Sequence, residues 1–116
     1  GKRIANQLSY LGLEANFMSS KDLDLNRKGV KIITLKSAKG LEFPIVAIAG
    51  FLDSSYPKIP KGTLEDAVAE ILARERRTLF VGMTRAMRAL LMIIPANNRS
   101  PLLDNFDPQF WNLGNR

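Results

Sequence analysis

Two segments hold the residues with chemistry to offer. The first, TLKSAKGLEFP from Thr34 to Pro44, leaves one apolar run, turns through small residues and supplies two lysines, a hydroxyl, a glycine and a carboxylate before the next apolar run. Lys36 and Lys39 suit phosphate as point charges. Backbone N–H groups around Ser37 to Gly40 can meet an anion, and Gly40, having no side chain, lets a ligand approach closely. Glu42 can accept hydrogen bonds from vicinal ribose hydroxyls, as carboxylates do in nucleotide sites. The same spacing also suits an ordinary strand-to-strand turn with solvated lysines.

The second segment is ARERRTLFVGMTRAMRALLMI, from Ala73 to Ile93. Arg85 stands at the end of a helical apolar pattern, just before the chain turns into a strand. From there its always-charged fork can project into a neighbouring cleft and meet a phosphoryl group on which negative charge builds. Glu75 and Arg77 are two apart and do not face each other on a helix, so each is expected to pair elsewhere. For Arg76, Arg77 and Arg88 the competing reading is a solvated or salt-bridged helix surface.

What the chain lacks narrows the chemistry. With no Cys and no His there is no thiol nucleophile, disulfide, zinc-thiolate site or imidazole base. No GxxxxGK[ST] phosphate loop occurs, and no acidic pair follows an apolar strand to hold magnesium. An arginine and a ribose carboxylate without a phosphate-loop lysine make half of a nucleotide site.

Charge supports an anionic partner. The 116 residues carry 17 Lys plus Arg against 11 Asp plus Glu, a net +6. Residues 27–39 and 74–88 together hold +9, leaving the rest of the chain at −3. The excess is therefore local to the two segments that carry the candidate chemistry. No apolar run approaches the roughly 20 residues of a membrane helix and no signal-peptide pattern opens the chain, so no membrane partner and a cytoplasmic location are expected.

The elements that must position these residues follow from periodicity. Ile4, Ala5, Leu8 and Leu11 predict a helix over 2–12 closed by Gly12, followed by a short strand over 14–18. Residues 19–29 read as a loop. VKIITL (30–35), IVAIA (45–49) and ALLMII (89–94) are strands, the second continuously apolar as if covered on both faces. After a Pro- and Ser-containing loop over 51–62, Thr63 is the expected N-cap of one long helix, with Glu65 and Asp66 in its first turn. Leu64, Ala67, Val68, Ile71, Leu72, Leu79, Phe80 and Met83 form its stripe. A short helix over 100–106 follows, and Phe110 and Trp111 are expected to dock on the core. Strands separated by helices and crossovers imply an α/β fold with a mostly parallel sheet, whose ligands collect at strand carboxyl ends.

VKIITLKSAKGLEFPIVAIAG resembles motif V, and RERRTLFVGMTRAMRALLMI resembles motif VI, of the UvrD/Rep/PcrA-like superfamily 1 DNA helicases. The resemblance implies a RecA-like (P-loop NTPase-type) sheet flanked by helices. Residues 1–116 would be a partial domain, the C-terminal portion of the second RecA-like motor domain, with motif V at about 30–50 and motif VI at about 73–93. It further implies that ATP binds between this domain and the first RecA-like domain, which would carry the phosphate loop and the Mg2+ ligands. Arg85 would be the arginine finger, and Gly40 and Glu42 would approach the nucleotide. Thr34, Lys36, Ser37 and Lys39 would lie along single-stranded DNA or a DNA junction. Glu75, Arg77 and Thr84 would support the cleft.

Three departures from the family pattern stand out. Lys36 replaces a frequent histidine of motif V, Arg74 precedes Glu75 where two acids are common, and the motif IV arginine is expected upstream of residue 1. The expected function is part of an ATP-dependent DNA helicase, working 3′ to 5′ by analogy and inactive as this chain alone. The alternative is a non-catalytic nucleic-acid-binding or partner-binding module derived from such a domain.

Overall fold

The computed structural model describes residues 2–19, 21, 23–26, 28–52, 56–104 and 106–112. Gly1, Arg27 of the first basic window, and parts of the expected loops 19–29 and 51–62 and of the expected helix 100–106 lie outside the described residues.

Helix α1 (Lys2–Tyr10) forms where the apolar spacing places it and ends at Gly12, whose φ of +88° is one that side chains rarely adopt. Strand β1 (Ala15–Phe17) pairs in parallel with β2 (Val30–Ile32), Ala15 opposite Val30. The expected strand 30–35 is thus cut short at Ile32. Its end is set by Thr34, whose hydroxyl lies 3.0 Å from that of Ser37 and whose carbonyl accepts the Ser37 N–H at 3.1 Å. Such local bonds compete with a ladder, and they open a 3-10 turn over Lys36–Ala38.

Strands β3 (Phe43–Ile48) and β4 (Ala86–Met92) are also parallel and are joined by helix α2 (Glu65–Met83), the crossover that a parallel pair requires. Ile45 faces Ala89 and Ile48 faces Met92, and the register slips between Phe43 and Ile45. Pro44 sits at the slip and has no N–H for the ladder. The fold is α/β with parallel strands, as expected of a partial domain. Among the described residues the strands form two two-stranded sheets.

The core joins Ile48 of β3, Phe51, Leu79 of α2, and Leu102 and Leu103 of the tail. Val46, Leu90 and Met92 pack against it from the same sheet face. Alternation along the strands sends Ile45, Met87, Ala89 and Leu91 to the other face, where all four are exposed, Ile45 by 69%. Burial of the 45–49 strand on both faces is therefore corrected: the covering helix packs on one side only.

Other local expectations change as well. Thr63 does not cap α2: its hydroxyl donates to the Pro60 carbonyl, and the N-cap is Leu64 without a side-chain bond. Asp66 takes part of that role by accepting the Ala67 N–H at 3.0 Å. Leu72, Leu79 and Met83 face the core, whereas Leu64 and Phe80 are exposed. The helix expected over 100–106 shrinks to a 3-10 turn, Pro101–Leu103, capped by the buried Ser100 hydroxyl. Trp111 stacks on Phe106 at 5.3 Å while Phe110 stays in solvent.

Candidate functional site

Gly82 fixes how the two basic segments meet. A Cβ built there would stand 2.5 Å from Leu35 Cδ2, so any larger residue would require the tip of Leu35 to shift where α2 packs on the residue that opens the 36–38 turn. Glycine inside a helix costs about 1 kcal/mol against alanine, a signal that could have marked a close approach from the sequence. Beside this contact an open cleft of about 250 Å³ lies between turn and helix, lined by Leu35, Lys36, Lys39, Arg77, Thr78 and Val81. Lys36 and Lys39 are thereby brought together with Arg77, and among the described residues no carboxylate lines the cleft.

Thr34 and Ser37 engage each other through their hydroxyls at the cleft's approach. Gly40, at φ +80°, has nothing within 4 Å of where a Cβ would stand. Space is therefore open beside it, and its backbone angle is what demands glycine. Glu42 is exposed. The next residue, Phe43, donates its N–H to the Arg85 carbonyl at 2.9 Å, so the ladder places Glu42 beside the end of α2.

Arg85 does not project into a cleft here. Its Nε donates to the Val81 carbonyl at 3.1 Å and its Nη2 to Thr84 Oγ1 at 3.1 Å, while the Thr84 hydroxyl donates to the same Val81 carbonyl at 2.9 Å. The last carbonyls of a helix lack helical partners and carry partial negative charge. The guanidinium satisfies one of them, the Val81 carbonyl.

Glu75 pairs elsewhere, as its spacing requires. One carboxylate oxygen accepts the Tyr56 hydroxyl at 3.2 Å and the other lies 3.6 Å from Arg74 Nε. Tyr56 was not legible as a site residue, because an aromatic in a Pro-rich loop has no periodicity to place it. Its ring meets Phe51 edge-on at 6.3 Å. Burial, then the charge of Glu75 and the hydrogen bond to it, push the Tyr56 hydroxyl well above the usual tyrosine range. Thr34, Leu35, Lys36, Tyr56, Glu75 and Thr78 line a second opening of about 190 Å³. Along the same helix, Arg76 Nε is buried without a hydrogen-bond partner.

Among the described residues no group of three or more His, Cys, Asp or Glu stands together to hold a metal ion, so these residues do not fit a magnesium site by themselves. Among them also, no helix is long and apolar enough to cross a membrane.

Residues 2–97 match the model of the UvrD-like helicase C-terminal domain. The chain belongs to that family. It is 44% identical over 96 residues to the ATP-dependent DNA helicase PcrA of Staphylococcus epidermidis, 83% of this chain and 12% of that protein. It is 37% identical over 92 residues to DNA helicase II of Escherichia coli, 79% of this chain and 12% of that one. With PcrA of Leuconostoc citreum the identity is 34% over 83 residues, 72% of this chain and 10% of the relative. The chain thus spans about a tenth of the length of these relatives. The family match takes in both basic segments of this UvrD-like domain and stops before the tail, although Leu102 and Leu103 of that tail complete its core.

Proposed function

We propose that this UvrD-like domain is the C-terminal portion of the second RecA-like motor domain of an ATP-dependent DNA helicase, with motif V at about 30–50 and motif VI at about 73–93. Its relatives are named as DNA helicases, two of them ATP-dependent. In this reading Arg85 is the arginine finger, Gly40 and Glu42 approach the nucleotide with Glu42 on the ribose, and Thr34, Lys36, Ser37 and Lys39 lie along single-stranded DNA. Glu75, Arg77 and Thr84 support the cleft. ATP and Mg2+ are held chiefly by the first RecA-like domain, so this chain alone does not hydrolyse ATP.

The observation that carries the reading is the Phe43 N–H to Arg85 carbonyl bond. It ties the chain immediately after Glu42 to the backbone of the proposed finger, which supports a reading in which a ribose contact and a γ-phosphate contact share one corner. The 36–38 turn leads from that corner to the basic cleft, which gives nucleotide state a short path to the DNA track. Hydrolysis itself places charge on the phosphoryl oxygens, and a positioned arginine is worth on the order of 10³ to 10⁵ in rate.

The test is Arg85→Ala in the full-length protein that carries this chain. Most ATPase activity should be lost while ATP binding is largely kept, and near-normal turnover overturns the assignment. A second reading, a non-catalytic nucleic-acid or partner-binding module, is favoured by the return of Arg85 onto its own helix. Under that reading the substitution changes no turnover because the unsubstituted protein has none.

A further inference from the structure

Glu75 is the one acid among the arginines of the second basic window, and its position decides how positive the neighbouring cleft is. It lines the 190 Å³ opening together with Lys36, while Lys36 also lines the 250 Å³ cleft with Lys39 and Arg77. A free carboxylate at that boundary would turn to Lys36 and cancel its charge. Both of its oxygens are instead engaged by other groups, one by the Tyr56 hydroxyl and the other by Arg74. Glu75 is largely enclosed, its side chain 16% exposed, whereas Arg74 is 65% exposed. Tyr56 is therefore the firmer of the two holds, its ring fixed against Phe51, which is 1% exposed.

We propose that Tyr56 is a positioning residue for phosphate binding: by holding the Glu75 carboxylate it leaves Lys36, Lys39 and Arg77 free to take a backbone phosphate of a single strand in the cleft between the 36–38 turn and α2. The proposal rests on the DNA-track reading above and adds to it a residue outside both basic segments. Three cations around an open cleft without an acid suit a phosphodiester, which any base sequence presents. Tyr56 itself touches no phosphate. It acts on the charge next to the one that does.

Binding of the 116-residue chain to a fluorescent oligothymidylate, titrated over a range of salt, tests this. Each phosphate contact on a single strand contributes about 0.7 to the log–log salt slope. Tyr56→Phe should weaken binding at low salt roughly threefold to tenfold and lower the slope by about that one contact. Tyr56→Phe combined with Glu75→Gln should restore both, because a neutral amide cannot cancel Lys36. A double variant as weak as Tyr56→Phe alone, or a single variant with an unchanged slope, overturns the role of Tyr56. Circular dichroism identifies a misfolded Tyr56→Phe chain, and Lys36→Ala in the Tyr56 background then serves instead: it must lower the slope by about 0.7, because a Lys36 already cancelled by Glu75 would have nothing to lose, and an unchanged slope overturns the proposal. If the unsubstituted chain binds without dependence on Lys36, Lys39 and Arg77, the DNA-track reading itself fails. Displacement of the strand by ATP at equal phosphate concentration would assign the cleft to a nucleotide and overturn the proposal.

Discussion

Leu35 occupies the space that a side chain at Gly82 would need, its Cδ2 standing 2.5 Å from the position of an added Cβ. The approach lies where the turn that carries Lys36 and Lys39 packs on the helix that carries Arg77 and leads to Arg85.

Gly82→Ala gains about 1 kcal/mol of helix propensity and meets an overpacking cost of about 1 to 3 kcal/mol. Because Leu35 Cδ2 is the free end of a flexible side chain, the net should lie near the low end, a destabilisation of about 1 kcal/mol or less, read from urea unfolding. Adding Leu35→Ala should relieve the clash, so the double variant loses less than the two single losses added together. Simple additivity would mean that the two residues do not meet.

Lys36→Ala, Lys39→Ala and Arg77→Ala should each weaken oligonucleotide binding alike for all base sequences and lower the salt slope by about 0.7. Binding measured against thymidine-only and mixed-sequence strands checks this. A base-dependent loss would point to recognition of base edges and away from the phosphate cleft.

The raised Tyr56 hydroxyl makes a prediction about alkaline pH. The unfolded chain releases this proton near the ordinary value of 10.0, while the folded chain keeps it to higher pH. Between those points the folded state binds more protons, so stability falls as pH rises above about 10. In a Tyr10→Phe background, where Tyr56 is the remaining tyrosine, tyrosinate absorbance should appear together with unfolding. Tyr56→Phe should flatten the alkaline loss of stability; an unchanged loss would assign it to other groups.

Arg85→Ala should cost the isolated chain no more than about 1 kcal/mol, the scale of a cation at a helix C-terminus. Thermal unfolding checks this directly. A larger loss would make Arg85 a structural residue first and would weaken any reading of its effect on turnover.

The open face of β3 and β4, with Ile45, Met87 and Leu91 exposed, should make the isolated chain self-associate as concentration rises. Ile45→Thr with Leu91→Thr should keep the circular dichroism spectrum and reduce association in sedimentation.

Local pattern located α1 and α2 by their spacing and the strands of the described residues by their apolar runs, although β4 begins at Ala86, three residues before the expected strand 89–94. It overran at Thr34, where two hydroxyls close a turn that alternation alone reads as strand. It read IVAIA as covered on both faces, since composition reports how apolar a strand is and not which neighbours reach it. The site was legible as residue types, the lysines, Glu42 and Arg85, but not as an arrangement. Tyr56 and Gly82 act through contacts with residues 19 and 47 positions away, which no window along the chain contains. The direction of Arg85 was likewise hidden, because its acceptors are carbonyls whose availability depends on where α2 stops.

The bonds that Arg85 makes to Val81 and Thr84 set up a competition inside the molecule. If Arg85 is the proposed finger, a phosphate meets a guanidinium already engaged, and its apparent affinity is the intrinsic one multiplied by the fraction of molecules in which the arm is released. Any neighbouring surface that takes over the Val81 carbonyl or the Thr84 hydroxyl raises that fraction. It would then tighten phosphate binding without touching the phosphate, and by linkage the phosphate would tighten its hold on that surface to the same degree.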